Sequence, residues 1–160
     1  RTLTADVWNT IVLPFAMTSR QMAEAFGDGV QLADFIGYEP TYDDDDNVVA
    51  LKVSFSDVTA IEANHPYIIK VNEPVTEFTV DGVDIDPEES PVNAVIKRSR
   101  KQWSEMIGTY VANVDVPEQM IFLNGNKFWY STGLTKMKAF RAYFAFYAKY
   151  INFLAVFFFR

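Results

Sequence analysis

Phe140-Arg141-Ala142-Tyr143-Phe144-Ala145-Phe146-Tyr147-Ala148 is the stretch that decides the fold. In an extended chain Phe140, Ala142, Phe144 and Phe146 point one way and Arg141, Tyr143 and Tyr147 the other. That two-residue period marks a strand with one face in a core. The pattern recurs upstream, where Val49, Leu51, Val53 and Phe55 oppose Lys52, Ser54 and Ser56. The runs from Tyr67 to Val71 and from Glu77 to Val80 read similarly. Asn124-Gly125 separates the apolar run Met120 to Leu123 from Lys127 to Tyr130, and because Asn and Gly tolerate positive φ, the pair predicts a hairpin.

One helix is legible from its caps. Thr18 is placed to cap, Gln21 to reach back as the third helical residue, Met17 and Met22 to form a hydrophobic staple, and Gly27 or Gly29 to end the helix after Phe26. A second short helix is expected around Val95 to Trp103, although Lys97, Arg98, Arg100 and Lys101 would crowd one another there. No solenoid repeat or low-complexity linker divides the chain. The pattern predicts a mainly β fold, an antiparallel β-sandwich or jelly-roll-like architecture with one or two short helices. Its 160 residues fit a single domain, residues 1–160. Beginning at Arg1, the chain reads as a fragment or mature form of a larger protein, and its start says nothing directly about compartment.

With 49% hydrophobic and 16% aromatic residues the chain can bury a full core, so wholesale disorder is excluded. Without cysteine it has no disulfide, no thiol nucleophile and no Cys-ligated zinc. Its one histidine, His65, is the sole imidazole for any Ser-His relay, and its place before Pro66 reads as a turn residue whose proline bond is a candidate cis site. A net charge of −7 argues against nonspecific nucleic-acid binding.

That charge is segregated. Residues 1–118 hold all 21 acids and eight of the 14 cations, and the remainder carries six cations, no acid, and seven of the 14 phenylalanines between Phe140 and Phe159. The aromatic end reads as central strands beside an acidic surface. The alternative is an end that pairs with a partner or a membrane surface. The apolar run from Ile151 to Phe159 is too short for a spanning helix, which needs about 20 residues.

No catalytic constellation emerges. The four consecutive acids Asp43, Asp44, Asp45 and Asp46 point in different directions rather than converging on calcium, so a solvated loop is expected and no metal is assigned. Asp84 and Asp86 could share a strand face and bind a cation, but Val83 and Ile85 equally describe a half-exposed strand. No Gly-x-Ser-x-Gly elbow occurs, Gly27-Asp28-Gly29 reads as helix termination rather than a phosphate loop, and no cofactor is implied. Trp8, Trp103 and Trp129 could join Tyr38, Tyr42, Tyr67 and Tyr130 in a sugar-stacking platform, yet Trp8 and Trp129 fall within apolar strands and read as core. Tyr38 and Tyr42, flanking Pro40 beside Asp43, Asp44, Asp45 and Asp46, form the candidate recognition loop.

Several segments, in order, resemble a family. Trp8-Asn9-Thr10-Ile11-Val12-Leu13-Pro14-Phe15 resembles its W-N-T-x-x-L-P-F strand, and Ala25-Phe26-Gly27-Asp28-Gly29 its helix end. Ile61-Glu62-Ala63 with Pro66-Tyr67-Ile68-Ile69-Lys70 resembles I-E-A-x-x-P-Y-x-I-K. Gly108-Thr109-Tyr110, Asn126-Lys127-Phe128-Trp129-Tyr130 and Ala139-Phe140-Arg141-Ala142-Tyr143-Phe144 resemble its later strands. The family is that of secreted or cell-surface β-domains of Bacteroidetes bacteria, adhesin-like and without established catalytic residues. Here the chain departs from it by running on through apolar Tyr150 to Phe159 and by the enlarged acidic loop.

The resemblance implies an exported, non-enzymatic module for adhesion or recognition, secreted or on the outer face of the cell, whose partner is a surface protein or a glycan. A carbohydrate-binding module is one alternative. A pilin-like subunit that self-associates through Ile151 to Phe159 is another.

Overall fold

The computed structural model describes residues 2–86, 90–92, 94–99, 102–147 and 156–159. Its strands are β1 Trp8–Ile11, β2 Gln31–Tyr42, β3 Val48–Val58, β4 Tyr67–Lys70, β5 Ala94–Ser99, β6 Gln102–Thr109, β7 Val114–Asp115, β8 Ile121–Asn124, β9 Lys127–Tyr130, β10 Lys136–Met137, β11 Arg141–Tyr147 and β12 Val156–Phe159, with helix α1 at Ser19–Phe26. One sheet has the order β1-β4-β2-β3-β12 and the other β5-β6-β11-β8-β9, while β7 and β10 form a two-stranded ribbon. Their inner faces meet in one core. Phe35, Leu51, Val53 and Ile68 of the first sheet pack with Met106, Ile121, Phe128, Phe144 and Phe146 of the second. The fold is a β-sandwich-like, mainly β architecture, as the alternation predicts.

The first sheet is covered on its other face too. Leu32 and Ile69 join Met17, Met22 and Phe26 in a second core, whereas their chain neighbours Ala33 and Ile68 face the first. Successive side chains on a strand point to opposite faces, so a sheet covered on both sides buries successive residues. The helix that covers it follows its caps. Thr18 Oγ1 accepts from the Gln21 N–H at 3.3 Å, and Gln21 Oε1 accepts from the Thr18 N–H at 2.9 Å. Met17 and Met22 are both buried in that core, and Gly27 ends the helix at φ 90°.

Several expectations need correction. The described residues of Val95 to Trp103 are not a second helix: they belong to β5 and β6, which pair antiparallel, with Val95 opposite Glu105 and Lys97 opposite Trp103; residues 100 and 101 lie outside the described residues. Sheet pairing overrides a weak helical pattern in a segment whose Val95, Ile96 and Trp103 favour strands. Residues 77–80 form no strand, since Phe78 and Val80 cross the helix-side core without a sheet neighbour, Phe78 packing edge-on against Phe26 at 4.8 Å. Residues 81–86 likewise form no strand that could align Asp84 with Asp86; Glu88 and Glu89 lie outside the described residues.

Phe140 stands apart from the strand it introduces, with φ 58° and its ring 5.6 Å from Tyr110. Val49 is out of phase as well. A bulge opposite Thr41 and Tyr42 leaves Val48 buried and Val49 exposed.

Among the named strands every pairing is antiparallel except one. β12 lies parallel to β3, with Phe157 beside Leu51 and Phe159 beside Val53, so the first sheet is mixed. The C-terminal strand thus occupies a sheet edge of its own chain. Residues 148–155 of the aromatic end lie outside the described residues. No helix among the described residues is long and apolar enough to cross a membrane.

Candidate ligand-binding face

The expected recognition loop separates into unlike parts. Residues 37–42 are strand rather than loop, because β2 continues beside β3 to Tyr42 and Pro40 sits where β4 no longer runs alongside. Tyr38 is only 2% exposed, its ring 5.1 Å from that of Phe146, and so is core. Tyr42 is exposed at the strand's end.

Asp43 holds the turn: Oδ1 accepts from the N–H groups of Asp45 (3.0 Å) and Asn47 (2.8 Å). These bonds, that of Asn47 foremost, lower the Asp43 pKa. Asp44, Asp45 and Asp46 are exposed. Among the described residues, no group of three or more His, Cys, Asp or Glu side chains is arranged to hold a metal. His65 Nε2 lies 2.8 Å from Asp34 Oδ1 and its ring is 4.6 Å from Tyr67, which fastens its loop to β2. No peptide bond among the described residues is cis.

A different surface carries chemistry. In the hairpin of β8 and β9, Gly125 and Asn126 occupy the two turn positions at φ 58° and 63°, one residue later than the Asn-Gly reading. That register buries Ile121, Leu123 and Phe128 and turns Phe122 and Trp129, paired with each other, to the outer face. Trp129 is 50% exposed, so it is not a core residue as its apolar strand suggested.

On β11, Ala142, Phe144 and Phe146 fill the core, leaving Arg141 and Tyr143 on the outer face. Phe144 is the register partner of Ile121, which puts Tyr143 beside Phe122. Tyr143, Phe122 and Trp129 therefore form a transverse row across three adjacent strands. Arg141, Asn124 and Lys127 form the next row.

The face is held from behind and at its end. The Trp129 indole N–H donates to the carbonyl of Asn124 at 3.1 Å. Asn126 accepts from the N–H of Trp8 at 2.6 Å and donates to the carbonyl of Asp6 at 3.3 Å, tying the hairpin tip to β1. At the start of β11 the Ala142 N–H donates to Thr10 Oγ1 at 3.0 Å.

Comparison with protein-family models, curated proteins and solved structures finds no match to this chain. Its chemistry must speak for it. An exposed indole in line with two half-buried rings on a three-strand platform offers flat apolar area to a planar or ring-shaped ligand. Polar and cationic groups flank it.

Sequence reasoning missed this site because it judged Trp129 by the apolar character of its neighbours. The missed signal was alternation within Phe128-Trp129, which sends adjacent aromatics to opposite faces.

Proposed function

We propose that this chain is a non-enzymatic module for adhesion or recognition that holds a carbohydrate against the outer face of β8, β9 and β11. A single observation carries the reading: the half-exposed Trp129 lies in register with Phe122 and Tyr143 on a sheet braced by the opposing core. The C–H faces of sugar rings stack on such aromatics, and a rigid platform spares the ordering cost that a mobile loop incurs on binding. An exported setting, secreted or at the cell surface, accords with the motifs quoted above.

Titration of soluble polysaccharides into the protein, followed by calorimetry and tryptophan fluorescence, tests the reading. Saturable binding should weaken by about tenfold or more in Trp129→Ala, as loss of a stacked aromatic predicts, with the melting temperature nearly unchanged. Failure of every polysaccharide, or equal binding by the variant, would sink it.

A second reading, self-association through the C-terminal strand, draws on the place of β12. It is the last described element, at the edge of its sheet and parallel to β3, and such an edge strand can be exchanged between copies. Sedimentation of the full chain against one lacking residues 151–160 tests it. The full chain should show a concentration-dependent dimer that the folded truncation lacks.

A further inference from the structure

Beside the aromatic row a cleft of about 280 Å³ opens between β8, β10 and the start of β11. This lies just below the range of ligand pockets, roughly 300–1,000 Å³, as suits a subsite for one substituent. Leu123 and Met137 contribute apolar wall, and Arg141, Lys136, Lys138 and Asn124 the polar groups. Among the described residues no carboxylate lines it. Lys136 is paired with Asp115 on the neighbouring strand of the ribbon, whereas Lys138 is exposed.

Arg141 is the unusual member. Its Nε is buried and has no hydrogen-bond partner. Burial lowers the guanidinium pKa, and no compensating acid raises it. A guanidinium stays protonated in proteins, so an unmet buried N–H on a cation is a standing cost to the fold. The chain places it there with care: Thr10 fixes the next backbone N–H, and Phe140 just before it adopts a left-handed φ of 58°, rare for a bulky side chain. No partner among the described residues meets that Nε. An anion in the cleft beside the guanidinium would offset its charge.

We propose that this cleft is an anion subsite that takes the carboxylate or sulfate group of an acidic carbohydrate, with Arg141 and Lys138 as its cations. Resting on the carbohydrate reading above, the inference names the class of sugar. Arg141 lies two residues from Tyr143 along β11, roughly 6.8 Å in an antiparallel strand, and Phe122 both lines the cleft and pairs with Trp129. One sugar can thus stack on the row while its acidic substituent, or that of the next unit, enters the cleft. A guanidinium's planar fork suits two-oxygen anions. The acidic remainder of the chain confines anion binding to this end by repelling polyanions elsewhere.

The test is calorimetric titration of the full chain with polygalacturonate, dextran sulfate and neutral dextran at two salt concentrations. Wild type should bind at least one acidic polymer at least tenfold more tightly than dextran, with affinity falling as salt rises. Preference for polygalacturonate assigns the carboxylate and preference for dextran sulfate the sulfate. Arg141→Met should cost about tenfold or more in acidic-polymer affinity while leaving the melting temperature equal or higher, since it removes the unmet buried donor. Lys138→Gln, at an exposed position, should cost severalfold and leave the fold untouched.

Equal binding of dextran and acidic polymers, still dependent on Trp129, would overturn the anion subsite and spare the carbohydrate reading. Acidic-polymer binding unaffected by both Arg141→Met and Lys138→Gln would also overturn it. Absence of binding to all three polymers would overturn it as well, and absence across the wider polysaccharide panel would remove the carbohydrate reading. If Arg141→Met melts lower, Arg141 serves the fold, and loss of affinity in Lys138→Gln then decides between retaining and abandoning the subsite.

Discussion

The side chain of Asn126 at the tip of the β8–β9 hairpin accepts the backbone N–H of Trp8 at 2.6 Å, joining residues 118 apart in sequence. With its second bond to the carbonyl of Asp6, it fixes the platform that carries Trp129 to the first strand. Asn126→Gly keeps the left-handed backbone and removes both bonds. It should cost about 1 kcal/mol and lower the melting temperature by roughly 2–4 °C. Thermal denaturation checks the stability, and faster amide exchange at Trp8 checks the cause. A melt and an exchange rate like wild type would show the tie to be dispensable.

Phe144 lies at the meeting of the two sheets, fully buried, with the rings of Phe128 at 5.4 Å and Phe35 at 5.7 Å and that of Phe146 stacked at 6.1 Å. Phe144→Ala leaves a cavity that strands on both sides cannot close, and should cost about 3–5 kcal/mol. Phe144→Leu should cost markedly less. Urea denaturation of the pair measures the difference, and near-equal midpoints would contradict the packing argument.

Thr18→Ala removes the side-chain acceptor of the Gln21 N–H and should destabilise the protein by about 1 kcal/mol. Thr18→Ser, which keeps the oxygen, should lie near wild type. Both melts are needed, because a loss shared by the serine variant would point to the methyl group instead of the cap.

Asp43 makes its turn sensitive to acid. Its folded pKa lies below the ordinary 3.8, chiefly through the bond from the Asn47 N–H. The ionised form therefore favours the folded turn. Its contribution is present above the unfolded pKa and is lost as pH falls through the lower, folded value. In an NMR titration the Asp43 carboxyl should titrate below 3.8, and the Asn47 amide should follow the same curve. A midpoint at or above 3.8 would refute the linkage. Asp43→Asn, which keeps an acceptor without the charge, should abolish the pH response of the Asn47 amide.

The alternation of Phe140 to Tyr147 was sufficient to place Ala142, Phe144 and Phe146 inside and Arg141 and Tyr143 outside, because side-chain direction on a strand is local geometry. The caps of α1 were legible for the same reason: Thr18 and Gln21 bond within one turn. Val95 to Trp103 was misread because the segment joins most of β5 to the start of β6, and in a segment of modest propensity the pairing of those two strands decides the structure.

Local order thus determined that this is a strand-rich chain with a single capped helix and a segregated charge. Tertiary structure decided which outward residues meet. Tyr143, Phe122 and Trp129 come from three strands, and Arg141 lines a cleft whose other walls come largely from β8 and β10. Burial and desolvation depend on atoms distant in the chain, so a sequence read in short windows shows an arginine on a strand and not the cleft around it.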